Sequence, residues 1–158
     1  MAESGTTFGV APLETMKSMS GLEFLRSIAD GRLPAPPIAQ TLGFHIAEVS
    51  QGYVRFEMTP EFKHYNPLGG VHGGVAATLL DSCMSCAVHT HLPAGTGYTT
   101  MEIKINFVRA LTDKAGLIRA EGRTLHVGRR ASTAEGKIVD ANGTLYAHGT
   151  TTCMILQL

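Results

Sequence analysis

The sequence predicts an α+β domain in which a curved antiparallel sheet wraps one long central helix, with an extra short helix ahead of it. Three observations carry that expectation. Gly73 to His89 is apolar on nearly every side, so the helix it forms must be enclosed by other structure. Tyr53, Arg55, Glu57 and Thr59 alternate with Val54, Phe56 and Met58, the period of a strand with one wet and one buried face. Four further stretches of strand character follow the helix, and strands that run on without intervening helices pair antiparallel.

Taken in order, residues 1–12 are small, polar and aperiodic, and a frayed terminus is expected there. Ser20-Gly-Leu-Glu23 is a capping box that opens a helix with Leu22, Leu25 and Ile28 on one face. Gly31 is placed to end it, and the helix is expected to cover an edge of the domain. Leu33-Pro-Ala-Pro-Pro37 is a stiff connector, because proline fixes its own φ and restricts the residue before it. Ile38 to Leu42 fits one helical turn. Phe44 to Val49 and Tyr53 to Thr59, joined by Ser50-Gln-Gly52, read as a hairpin. After the helix come Thr99 to Val108, Gly116 to His126, Arg130 to Val139 and Gly143 to Ile155, the last pair joined by the turn signal Asp140-Ala-Asn-Gly143. A division into an N-terminal extension, 1–40, and a main domain, 41–158, follows.

At 158 residues the chain has room for one core. Its 13 Lys and Arg balance 13 Asp and Glu with no basic run, which argues against a nucleic-acid partner and for a small molecule. The start lacks the layout of a secretory signal, and no apolar run is long enough for a membrane span. Three cysteines suit a reducing compartment, so the expected location is the cytoplasm. Cys83-Met-Ser-Cys86 matches C-x-x-C, but inside a buried helix and without a second ligand pair it reads as packing; no metal is expected.

The chemistry concentrates between Asn66 and Asp81. Gly73 and Gly74 open the central helix, whose first amides have no partner within it and whose dipole favours negative charge. Glycine also lets a ligand approach the backbone, so this turn is material for an oxyanion hole. Asp81 falls among Leu79, Leu80, Cys83 and Met84, where an unpaired carboxylate is costly and needs a reason. Projection around the helix sets Gly74, Ala77, Thr78, Ser85 and Val88 beside it, a face suited to a narrow cleft. Eight residues of rise separate Gly73 from Asp81 by ~12 Å, too far for both to act on one carbonyl. Two such helices lying antiparallel across a dimer axis would bring Gly73 of one chain level with Asp81 of the other. A sheet that covers one side of a helix also leaves the other to be covered, and a homodimer is the economical cover.

The pattern Asn66-x5-His72-Gly73-Gly74-x6-Asp81, with Tyr98-Thr-Thr-Met-Glu-Ile-Lys-Ile-Asn-Phe107 and Val127-Gly-Arg-Arg130, resembles the hotdog-fold acyl-CoA thioesterases of the phenylacetate-degradation type. The likeness runs from about Leu42 to Ile155 and leaves the N-terminal segment unmatched. It implies a shared site in a dimer or dimer of dimers, hydrolysing an aryl or medium-chain acyl-CoA without a cofactor beyond the coenzyme A of the substrate. In that site Asp81 is general base or nucleophile and the Gly73 amide, with Gly74 beside it, takes the carbonyl oxygen. Asn66 and a strand hydroxyl, Thr100 with Thr99 as its neighbour, position the water or carboxylate. The resemblance also has His72 assist the leaving thiolate or hold the turn, and Gly128, Arg129 and Arg130 contact the coenzyme A nucleotide. A non-catalytic acyl-CoA binder on the same fold is the alternative; a buried base is what a binder does not need.

Overall fold

The computed structural model describes residues 6–158. Six antiparallel strands form one sheet in the order β1-β2-β4-β5-β6-β3. These are β1 (Phe44–Ser50), β2 (Tyr53–Met58), β3 (Thr96–Phe107), β4 (Ile118–Val127), β5 (Ala131–Asp140) and β6 (Leu145–Gln157). The central helix α4 (Gly73–His89) lies on its concave face, with the boundaries expected from the sequence. Each strand begins and ends within three residues of its expected limits, and β-bulges at Thr100/Glu102 and Thr124/His126 shift the register within β3 and β4.

The alternation in β2 sorts as read. Val54, Phe56 and Met58 are buried, while Arg55 and Glu57 join Glu48 and Arg119 in an ion-pair cluster on the outer face. Val54, Met58, Ile118, Ala134, Ile138 and Cys153 receive Leu79, Leu80, Cys83 and Met84 from the helix. Each large apolar side chain so enclosed contributes roughly 1.5–3 kcal/mol. The helix seats closely because Gly122 pairs with Gly136 across β4 and β5. A Cβ at Gly122 would overlap the Cys83 carbonyl, and one at Gly136 would stand 2.7 Å from Met84 Cγ.

The sheet does not enclose the whole helix. Gly74, Ala77, Thr78, Asp81 and Ser82 keep solvent access along one stripe, whereas Ser85 and Val88, expected on that face, are buried.

The segment before β1 corrects the expectation of a frayed start. Residues 1–5 lie outside the described residues, but residues 6–12 are tied down: Gly9 N–H donates to Ala35 O and Ala35 N–H donates to Thr7 O, both at 2.9 Å, and Ala11 is buried. A helix not foreseen, α1 (Leu13–Ser18), follows. The proline connector is the reason, since its extended backbone offers Ala35 as a partner for Phe8. Helix α2 (Gly21–Ala29) carries the capping box, with Ser20 accepting from Glu23 N–H and Glu23 accepting from Ser20 N–H. Gly31 sits just beyond its end at φ 73°, and α3 (Pro37–Leu42) closes the segment. Gly21 N–H donates to Leu92 O at 3.0 Å, and a Cβ there would overlap the His89 carbonyl, so α2 meets the end of α4 at close quarters. No helix among the described residues is long and apolar enough to cross a membrane.

Candidate active site

The start of α4 assigns its amides one by one. His72 is the N-cap; its Nδ1 accepts from Gly74 N–H at 2.9 Å and its carbonyl accepts from Val75 N–H at 2.9 Å. Among the described residues no hydrogen bond engages Gly73 N–H, which is left as the free donor at the positive end of the helix. With Nδ1 accepting, the His72 proton is assigned to Nε2, and this exposed side chain keeps a donor to spare. Gly73 has the Phe107 ring over it and opens, with Asn66, Val71 and Ala76, onto a cavity of about 360 Å³.

Asn66 shapes the loop into that turn. Its Oδ1 accepts from Leu68 N–H at 2.9 Å and Gly70 N–H at 3.3 Å, and its own N–H donates to Gly70 O at 2.7 Å. The turn consumes the carbonyl end of the side chain and leaves the Nδ2 amide without a partner among the described residues.

Asp81 lies two turns further on and opens onto a different, larger cavity of about 620 Å³. Its carboxylate is half-buried, and Oδ1 accepts from Thr100 Oγ1 at 2.8 Å. Thr99 faces outward at the same mouth. Behind Asp81, Ser85 Oγ donates to the Asp81 carbonyl at 2.6 Å and lies within hydrogen-bond distance of Tyr98 Oη, at 3.2 Å. His89 closes the row, its ring 5.2 Å from Tyr98 and 5.8 Å from Phe24. Burial lowers the His89 pKa to about 4. Burial also pushes the Cys86 thiol up to about 12, and Cys83, sealed in the core, is raised as well. The C-x-x-C pair is therefore two inert thiols, not a reactive couple.

The predicted residues thus fall into three places. Asp81, Thr99 and Thr100 share one cavity, Asn66 and Gly73 share the other, and Gly74 and His72 cap the helix start between them. Gly128, Arg129 and Arg130 line neither. They form the β4–β5 turn, where Gly128 N–H donates to Ser132 Oγ at 3.3 Å and both arginines are exposed. Ile155 N–H donates to Arg130 O, and Ile155 pairs with Tyr98, so the turn stands two strands from the Asp81 mouth, ~10 Å across the sheet.

Sequence reasoning missed Tyr98, His89, Phe24 and Met16, all of which line the larger cavity. The signal for Tyr98 was available, since period-two alternation puts it on the face of Thr100 and not Thr99. For Met16 and Phe24 no local signal existed, because their place depends on the fold-back of residues 6–38.

Comparison with known proteins agrees with this architecture. The 1,4-dihydroxy-2-naphthoyl-CoA hydrolase of Listeria monocytogenes is 26% identical over 103 residues, 65% of this chain and 82% of that protein. The proofreading thioesterase EntH of Klebsiella pneumoniae is 28% identical over 102 residues, 65% of this chain and 73% of that one. Among solved structures, a phenylacetic acid degradation-related protein of Ralstonia eutropha superposes with a TM-score of 0.75 at 29% identity, covering 83% of this chain and 98% of its own. A thioesterase family protein of Silicibacter pomeroyi, 23% identical, shares the fold at a TM-score of 0.76, covering 87% of this chain and 99% of its own. The model of the Thioesterase superfamily matches residues 68–147, from the Asn66 turn through α4 to β6, and the chain belongs to that superfamily with the hotdog fold.

Proposed function

We propose that the protein hydrolyses an acyl-CoA thioester to a carboxylic acid and free coenzyme A, in a homodimer whose sites are shared between protomers. The observation that carries this reading is the division of α4: a free amide at Gly73 opens one cavity and the Asp81 carboxylate opens another. Neither half can act on a carbonyl alone. The open stripe Gly74, Ala77, Thr78 and Asp81 carries small, partly exposed side chains against which a second α4 could lie, and an antiparallel pair would join each amide to the partner's acid.

In the joined site the Gly73 N–H holds the thioester oxygen as it gains charge, aided by the helix dipole. Asp81, held by Thr100, either takes a proton from water as the water oxygen attacks the carbonyl carbon, or attacks that carbon itself to give an anhydride that water then opens. In both routes the C–S bond breaks and the sulfur leaves as a thiolate that takes its proton from solvent, with His72 Nε2–H available to hydrogen-bond to it as it departs. The free Nδ2 amide of Asn66 is available to orient the attacking oxygen. Arg129 and Arg130, exposed on the β4–β5 turn, would take the nucleotide phosphates of coenzyme A, since guanidinium groups suit phosphate. Water is the one co-substrate, and no metal or redox cofactor enters.

The test is thiol release from phenylacetyl-, medium-chain and short-chain acyl-CoAs, with light scattering for the oligomeric state. Release from at least one class by a dimer or dimer of dimers supports the reading. No release from any class, or full turnover by a monomer, overturns it. Single turnover in H₂¹⁸O separates the two routes, since only direct attack carries label into Asp81.

A further inference from the structure

The larger cavity has two walls of different origin. One holds the expected Asp81 and Thr100, with Ser85 and Tyr98 beside them, from α4 and β3. The other consists of Met16 from α1, Phe24, Leu25 and Ile28 from α2, and Pro36 and Ile38 at the start of α3. This second wall lies before residue 68, where the family match begins, so the family's shared chemistry does not account for it.

Its composition is selective. Of the described side chains lining the cavity Asp81 alone is an acid, and no lysine or arginine is among them; burial disfavours the charged form of His89 at the inner end. The rest are aliphatic, aromatic or small. A hydrocarbon gains by entering such a space. A carboxylate at the far end of an acyl group would meet no cation and would lose its hydration, at a cost of several kcal/mol.

The wall is also held in place. The strand-like pairing of Thr7 and Gly9 with Ala35 ties the start of the segment to its end, Leu33 N–H donates to Ser27 O at 2.9 Å, and α2 is pinned to the end of α4 through Gly21 and Leu92. Phe24 packs tilted against His89, which in turn packs tilted against Tyr98, so the segment and the site share one aromatic row.

We infer that residues 9–38 form the acyl chamber of the site, that Met16, Phe24 and Ile28 determine specificity, and that the substrate class is an uncharged, hydrophobic acyl group. This rests on Asp81 marking the thioester end, as proposed above. The acyl chain then runs from Asp81 past Ser85 and Tyr98 towards His89, with the N-terminal segment against its outer side.

The experiment compares wild type, Met16→Trp, which narrows the chamber, and Ile28→Ala, which widens it. For each, kcat/KM is measured across a series of acyl-CoAs of increasing length, with phenylacetyl-CoA and a carboxylate-terminated acyl-CoA of matched length. Binding of the corresponding non-hydrolysable thioethers is measured in parallel by calorimetry. The expected result is a shift in the ratio of longer to shorter acyl groups of at least about tenfold, downward for Met16→Trp and upward for Ile28→Ala, with the charged acyl group disfavoured by all three. That shift corresponds to about 1.4 kcal/mol of differential contact. Opposite shifts cannot come from general loosening of the fold. Equal changes across the series in both variants, or preference for the charged acyl group, overturn the inference. Selective thioether binding without thiol release by wild type would sink the hydrolase reading and leave the chamber standing; absence of binding would sink the chamber.

Discussion

The Thr100 hydroxyl donates to Asp81 Oδ1 at 2.8 Å, tying the middle of the central helix to the edge strand β3. The bond fixes the carboxylate rotamer and leaves Oδ2 free at the cavity mouth. Thr100→Val is expected to lower kcat by about 10- to 100-fold, the worth of one hydrogen bond to a charged group, and Thr100→Ser to restore most of it. Asp81→Asn is expected to cost about 10²–10⁴-fold while the thermal midpoint holds. Kinetics and thermal melts of the three variants check both statements; near-normal turnover in Asp81→Asn would remove the carboxylate from the mechanism.

Gly73→Pro isolates the other half of the site. Proline is tolerated at the first helical position, where it deletes only an amide that has no intrahelical partner. His72, at φ −59° and ψ 133°, already has the extended backbone that a residue before proline requires. Phe107 must yield slightly, because a Cβ at Gly73 would stand 3.3 Å from its ring. Gly73→Pro and Asp81→Asn homodimers are both expected to be inactive, and their mixture after subunit exchange to regain activity from one intact site per mixed dimer. Verified mixed dimers that stay inactive would count against sharing.

His89 sets an acid limit on stability. Its pKa in the folded chain is lowered from 6.5 to about 4 by burial, so between those values the unfolded chain binds a proton that the folded one refuses. Stability is therefore full above about pH 6.5 and declines as pH falls towards 4, by about 3 kcal/mol in all. Urea unfolding of wild type and His89→Gln at pH 7 and pH 4.5 reads the effect, and the variant is expected to show a shallower decline.

The thiols at 83 and 86 are expected to resist a disulfide reagent at neutral pH and to react fully in denaturant. Burial raises both, Cys86 to about 12, so the thiolate is scarce at neutral pH. Rapid native labelling of either position would contradict the packing described.

Gly122→Ala is expected to be among the most damaging single changes, costing several kcal/mol by the mechanism of overpacking, because the added methyl meets the Cys83 carbonyl and not a flexible side chain. Gly143→Ala, with open space around it but φ 81°, carries only local backbone strain and is expected to cost less. Denaturation midpoints of the pair rank the two effects.

Periodicity made most of the architecture legible. The α4 boundaries, the capping box at Ser20 and Glu23 and the hairpin of β1 and β2 rest on neighbours within a few residues, and local rules describe them. The separation of Gly73 from Asp81 was legible for the same reason, since helix rise converts sequence distance into length. What escaped was non-local. Ala11 is buried and α1 forms because Phe8 meets Ala35 across a reversal of the chain, which no window of sequence displays. Val88 was assigned to the open face because projection around a helix says which residues align and not what stands opposite them. The N-terminal segment was read as a cover for an edge, and its place over the Asp81 cavity required knowing where the sheet ends.

The two ends of helix α4 set a demand on concentration. If each protomer supplies an amide to one reaction centre and an acid to another, separating the protomers leaves both centres half built, though each chain stays folded. Turnover per chain would then fade on dilution before any loss of secondary structure, and the association constant of the pair would govern how much catalyst a given amount of protein provides.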